Sequence, residues 1–121
     1  MAKRILVVDD EASMRSFVGD ILQEAGYIPT FAKSGEEALV LASRKVYDAV
    51  LTDKVMGGMD GVELIAKLRA TEGYLGVPIL MVTADGSDTG RQSGRQAGAT
   101  GWITKPFTPT RLVEVLDRFL G

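Results

Sequence analysis

The stretch Ile5-Leu6-Val7-Val8-Asp9-Asp10 decides the fold. Four aliphatic residues follow one another with no polar residue between them. That is the pattern of a strand buried on both faces, as in a parallel sheet covered by helices on each side. Two carboxylates then stop it. Similar apolar runs recur at Ala49–Leu51 and Ile79–Val82. Amphipathic stretches lie between them. Met14, Phe17, Val18, Ile21, Leu22 and Ala25 follow helical spacing, and Gly26 ends that helix. Ser34-Gly35-Glu36-Glu37 is a capping box that opens a second helix with Ala38, Leu41 and Ala42 inward. Val62, Ile65 and Leu68 mark a third. Thr108-Pro109 places a capping hydroxyl and then proline at the start of a last helix carrying Leu112, Val115, Leu116 and Phe119.

Strand–helix alternation of this kind predicts an α/β domain with a parallel sheet. Pro29 interrupts the second strand, Tyr27–Ala32, and proline belongs at a sheet edge. A flavodoxin-like (βα)5 doubly wound sheet of five strands in the order 2-1-3-4-5 puts the second strand there. The 121 residues make a single domain spanning 1–121, with no linker, repeat or low-complexity tract.

Composition narrows the chemistry. Apolar residues are 45% and charged residues 25%, an ordinary globular balance. The formal net charge of −2 argues against nucleic acid and anionic membranes as partners. There is no cysteine and no histidine. Disulfides, thiol nucleophiles, Cys/His zinc sites and Ser/His/Asp triads are therefore excluded. Chemistry must come from carboxylates, lysine, hydroxyls or backbone groups, and any metal must be a hard one bound by oxygen. The early apolar run is too short for a signal segment or a membrane span, so a cytoplasmic location is expected.

In a parallel sheet, functional groups gather at the carboxyl ends of the strands. Those ends read Asp9-Asp10, Asp53, Thr83-Ala84 and Lys105-Pro106. Neighbouring strand ends lie about 5 Å apart, so three carboxylates, a hydroxyl and an ammonium are expected in one shallow cleft. Carboxylates that close repel one another. Mg²⁺ would relieve the repulsion and keep positions open for a phosphate. With Lys105 as a second positive charge, the cleft suits a phosphoryl group beside a carboxylate nucleophile.

The segments VVDDE (7–11), LTDKVMGGMDG (51–61), MVTAD (81–85), AGATGW (97–102) and TKPF (104–107) resemble the receiver domains of two-component response regulators. The resemblance runs from Lys3 to Leu120 and is nearest to single-domain regulators of the chemotaxis type. It implies a phosphorylation-dependent signalling switch, not an enzyme, although one that assists its own phosphorylation and dephosphorylation. Asp53 would be the phospho-acceptor. Asp10 and Asp53 would bind Mg²⁺ through their side chains, Asp9 through water, and Val55 through its backbone carbonyl. Lys105 would contact the phosphoryl oxygens, with a cis bond to Pro106. Thr83, Ala84 and Trp102 would form the switch. The phosphodonor would be a histidine kinase or a histidine phosphotransfer protein. Output would pass by protein contact from a monomer, through the face made by the fourth helix, fifth strand and fifth helix.

Two departures from the family pattern stand out. Gly57-Gly58 follow Met56 where a proline is usual, which predicts a mobile loop. DGSDTGRQSGRQ (85–96) has glycine at 86, 90 and 94 and no large apolar residue. The fourth helix is therefore expected to be short, frayed or mobile until phosphorylation or a partner orders it. Three other readings remain. A haloacid-dehalogenase-like phosphohydrolase needs an acid two residues past its nucleophile, where Val55 stands. A flavin module needs a phosphate-binding loop where Asp9-Asp10-Glu11 stands. A phosphorylation-independent interaction module would not need the complete cleft.

Overall fold

Strand β1 (Arg4–Val8) lies one strand in from the edge of a five-stranded parallel sheet in the computed structural model, which describes residues 2–121. On one side it pairs with β2 (Ile28–Ala32), the edge strand that holds Pro29. On the other it pairs with β3 (Ala49–Thr52), followed by β4 (Ile79–Thr83) and the far edge β5 (Gly101–Thr104). The order β2-β1-β3-β4-β5 is the expected one. Ile5, Leu6, Val7 and Val8 are all buried because each face of β1 has its own core. Ile5 and Val7 pack under α1 (Ala12–Glu24) and α5 (Pro109–Leu120) with Ile21, Leu22, Leu112 and Leu116. Leu6 and Val8 pack under α2 (Gly35–Arg44) and α3 (Gly61–Arg69) with Ala38, Leu64, Ile65 and Leu68.

The helix starts follow local chemistry. Ser34 Oγ accepts the Glu37 N–H at 3.0 Å. Glu37 Oε1 reaches back to the Lys33 N–H at 2.8 Å, one residue before the box as read from sequence. Asp60 Oδ1 accepts the Glu63 N–H and Thr108 Oγ1 the Arg111 N–H, which caps α3 and α5. Each such cap stabilises its helix by about 1 kcal/mol.

The structure refines the sequence reading at three helices and one loop. Phe17 and Phe119 do not enter the core and are 43% and 37% exposed. They flank the apolar stripes of their helices, and Phe17 lies against Phe107 with ring centroids 5.9 Å apart. The fourth helix, α4 (Asp88–Ala97), is not short. It runs for 10 residues, opened by Ser87 and closed by Gly98 at φ +114°. Its buried face is made of Gly90 and Gly94. The glycines create that face, because a Cβ on Gly94 would lie 2.7 Å from Cζ3 of Trp102. In the loop after β3, Gly58 adopts φ +78°, a conformation glycine takes without strain.

Arg69 secures the far end of α4. Its Nε and Nη2 donate to the Gly98 carbonyl at 3.0 and 2.8 Å, and its Nη1 donates to the Val77 carbonyl at 2.7 Å. One guanidinium thus joins α3, the entry to β4 and the end of α4.

Candidate functional site

Among the described residues, the buried polar or charged side chains are Asp9, Thr52, Asp53 and Thr83. All four stand at the carboxyl ends of β1, β3 and β4. Burying polar groups is costly unless they are paired, so their concentration at one end of the sheet marks the functional cleft.

The pairing comes from β5. Lys105 Nζ lies 3.0 Å from Asp9 Oδ2 and 3.1 Å from Asp53 Oδ2. Burial opposes the lysine's charge, but the hydrogen bonds and charges of Asp9 and Asp53 outweigh it and raise its pKa above the ordinary value. The remaining oxygens are also engaged. Asp9 Oδ1 accepts the Glu11 N–H at 3.0 Å, and Asp53 Oδ1 accepts the Lys54 N–H at 2.7 Å. The Lys105–Pro106 bond is cis.

Asp10 stands apart from this pair. It is exposed, and its Oδ2 accepts the Gly57 N–H at 3.2 Å. Among the described residues, no three acidic groups are gathered as a metal site. The convergence expected of three carboxylates is thus realised for Asp9 and Asp53 around Lys105, with Asp10 turned to the loop after β3. The donors on offer are carboxylates and the carbonyl of Val55, whose side chain is 71% exposed. By donor type this set fits a hard cation such as Mg²⁺.

The expected switch residues form a connected group. Thr83 is buried, and its Oγ1 accepts the Asp85 N–H at 3.3 Å. Ala84 is exposed beside it. Trp102 is half-buried and donates from Nε1 to the Asp85 carbonyl at 2.9 Å. The Asp85 carboxylate accepts the Ser87 N–H at 2.9 Å and pairs with Lys54 Nζ at 2.6 Å. The Lys54 ammonium, followed by the bonds from Ser87, holds the Asp85 carboxyl well below the usual carboxylate range.

Lys54 and Gly61 are the residues that sequence reasoning missed. Lys54 meets Asp85 only through tertiary folding, so no local spacing announces the pair. A Cβ on Gly61 would fall 2.2 Å from the Asp53 carbonyl. Glycine is needed there so that the loop after β3 can turn back onto α3, where Gly61 N–H donates to the Lys54 carbonyl at 2.7 Å.

Fold and site define a flavodoxin-like α/β protein whose cleft lies at the carboxyl ends of its strands. The family model of the response regulator receiver domain matches residues 5–117, and the chain belongs to this family of two-component signalling domains. It is 39% identical over 116 residues to chemotaxis protein CheY-3 of Vibrio cholerae, covering 95% of this chain and 89% of that one. The structure of chemotaxis protein CheY4 of Vibrio cholerae superposes with a TM-score of 0.96 at 39% identity, covering 99% of this chain and 100% of that one. The receiver domain of sensor histidine kinase PA1611 from Pseudomonas aeruginosa superposes at 0.93 with 31% identity over 100% of this chain and 99% of that one. That structure carries a magnesium ion in its active site cleft. The chain spans 52% of the length of the Pseudomonas aeruginosa phosphate regulon regulator it also matches. Receiver domains are signalling modules and not classical enzymes. Among the described residues, no helix is long and apolar enough to cross a membrane.

Proposed function

We propose that this domain is a cytoplasmic signalling switch that accepts a phosphoryl group on Asp53 from a phosphohistidine-bearing kinase or phosphotransfer protein. The observation that carries this reading is the Lys105 ammonium held between Asp9 and Asp53, within 3.1 Å of each. A carboxylate nucleophile and a fixed cation are thereby placed where a transferring phosphoryl group needs them. An Asp53 carboxylate oxygen forms the new O–P bond in line as the N–P bond to the donor imidazole breaks. The leaving nitrogen keeps the bonding pair. Lys105 swings from the carboxylates to the phosphoryl oxygens. Asp10, Asp53 and the Val55 carbonyl would hold Mg²⁺, with Asp9 acting through water; the ion would supply further neutralisation of phosphoryl charge.

Thr83 then turns its hydroxyl to the aspartyl phosphate and gives up the bond from the Asp85 N–H. Trp102 and α4 are tied to Asp85, so they respond. Output passes by protein contact from a monomer through the α4–β5–α5 face. A hydroxyl bond to an anion supplies ~1.5–3 kcal/mol, and a shift from 1:99 to 99:1 needs ~5.5 kcal/mol. Lys105 and the partner therefore contribute the remainder, or the active state is already populated.

The test is intact mass after incubation with acetyl phosphate and Mg²⁺, with tryptophan emission followed in parallel. One phosphoryl group on the wild type and none on Asp53→Asn is the expected result, together with a change in Trp102 emission. An adduct on both proteins would move the acceptor elsewhere.

A further inference from the structure

Two hollows lie side by side along the outer edge of β5, and they differ in character. One, of about 230 Å³, holds Arg91, Arg95 and Thr100 beside Ala99, Gly101 and Trp102. The other, of about 340 Å³, is walled by Trp102, Ile103, Pro106 and Phe107, with Arg111 also lining it. The larger one alone reaches the roughly 300–1,000 Å³ of small-molecule sites. Arg91 and Trp102 line both hollows, so the two are continuous. Arg91 Nη2 donates to Thr104 Oγ1 at 3.4 Å, which sets its guanidinium over β5 where the hollows meet. No carboxylate lines either hollow. Among the described residues, Arg91, Arg95 and Arg111 form no ion pair. A chain of net charge −2 thus gathers three uncompensated guanidinium groups around its single indole.

We propose that these joined hollows bind a purine nucleoside di- or triphosphate, with its phosphates in the arginine-lined hollow and its base in the aromatic one. Planar guanidinium forks bond phosphate oxygens in pairs. Arg91 and Arg95 are four residues apart on α4, so they stand on one side of the helix about 6 Å apart. Successive phosphates of one ligand would meet both, with Arg91 on the phosphate nearer the ribose. A purine needs a flat apolar wall, which Trp102 and Phe107 supply. The indole is fixed before any ligand arrives. Its Nε1 donates to the Asp85 carbonyl at 2.9 Å, and it lies under Gly94, where a Cβ would fall 2.7 Å from its Cζ3. Bare phosphate would leave the aromatic hollow unused. A nucleic-acid strand fits poorly, because three arginines are a small patch and such surfaces are basic over a wide stripe. The site uses none of the acceptor residues, so it goes beyond phosphoryl transfer to Asp53 and gives this face an input of its own.

The test is titration calorimetry on the full chain in EDTA, so that no Mg²⁺ draws phosphates to the acceptor cleft. Emission from Trp102 is followed in parallel. The probes are ADP and GDP, with adenosine, guanosine and pyrophosphate as controls. At least one of the two nucleotides is expected to bind about tenfold or more tightly than its nucleoside and than pyrophosphate. Its binding is expected to quench Trp102 and to weaken as salt is raised. R91E/R95E, shown folded by circular dichroism, is expected to lose about tenfold or more in affinity. Arg111→Gln, on the other helix, is expected to lose about threefold, and Asp53→Asn to bind as the wild type does. Binding of neither nucleotide overturns the proposal. So does pyrophosphate binding within about threefold of the nucleotide, which would be a plain anion site, or a nucleoside binding as tightly. Loss of binding in Asp53→Asn with retention in R91E/R95E would put the ligand in the acceptor cleft and overturn it as well.

Discussion

At Lys105, burial and attraction pull in opposite directions. Burial alone would favour the neutral amine, yet two carboxylates at about 3 Å keep it charged. Replacing it with methionine would leave Asp9 and Asp53 facing each other without a counter-charge. Lys105→Met is expected to slow phosphorylation from acetyl phosphate by roughly 10²-fold, the usual cost of losing one group that stabilises transition-state charge. A time course by intact mass checks this, with Asp53→Asn as the blank. Asp9, Asp53 and Thr83 were legible in the sequence because each sits where an apolar run stops, and Lys105 because the strand–helix alternation places a fifth strand before it. The orientation of Asp10 was not, because the Gly57 N–H that it accepts lies 47 positions away. Lys54 was hidden for the same reason, since its partner Asp85 is 31 positions distant.

Helix α4 shows where periodicity misleads. Sequence patterns look for apolar side chains repeating at a helical interval, and here the packed positions are Gly90 and Gly94. The surface that covers the helix belongs to Trp102 and Asp85, which approach the backbone directly. Gly→Ala in an exposed helix gains up to ~1 kcal/mol. Gly94→Ala is expected to do the reverse. Its Cβ would lie 2.7 Å from Cζ3 of Trp102, a rigid ring that can only be displaced. A net loss of about 1 kcal/mol in thermal or urea unfolding is expected, with a shift in Trp102 emission before any phosphorylation. The other helices were easier to read because Ser34, Asp60 and Thr108 cap them through local bonds.

The sheet as a unit was the most legible feature, since continuous aliphatic strands admit few arrangements other than a doubly wound one. Long-range polar ties finish it. Tyr27, just before β2, donates its hydroxyl to Asp117 on α5. Burial, then the bond and charge of Asp117, push the phenol up to about 12. The folded state therefore holds this proton more tightly than the unfolded chain, whose phenol titrates near ~10. The added stability is full below about pH 10 and is lost as pH rises through about 12. Urea melts across that window are expected to show a steep decline for the wild type. Tyr27→Phe is expected to start about 1 kcal/mol lower and to lack this component of the decline.

The two ends of α4 are held in different ways. Near Gly98 the Arg69 guanidinium fastens it to α3 and to the entry of β4. Near Ser87 it depends on Asp85, whose partner Lys54 follows directly after Asp53. A rod pinned at one end and latched at the other would turn as a lever if the latch were released. The pivot would lie at Gly98, and the latch lies beside Asp53. Opening the latch by about 10° would swing the free end of this 10-residue rod, ~15 Å long, through about 2.6 Å. Arg91 lies near the moving end and Arg95 near the pivot, so the same swing would change the angle between them as seen from Trp102.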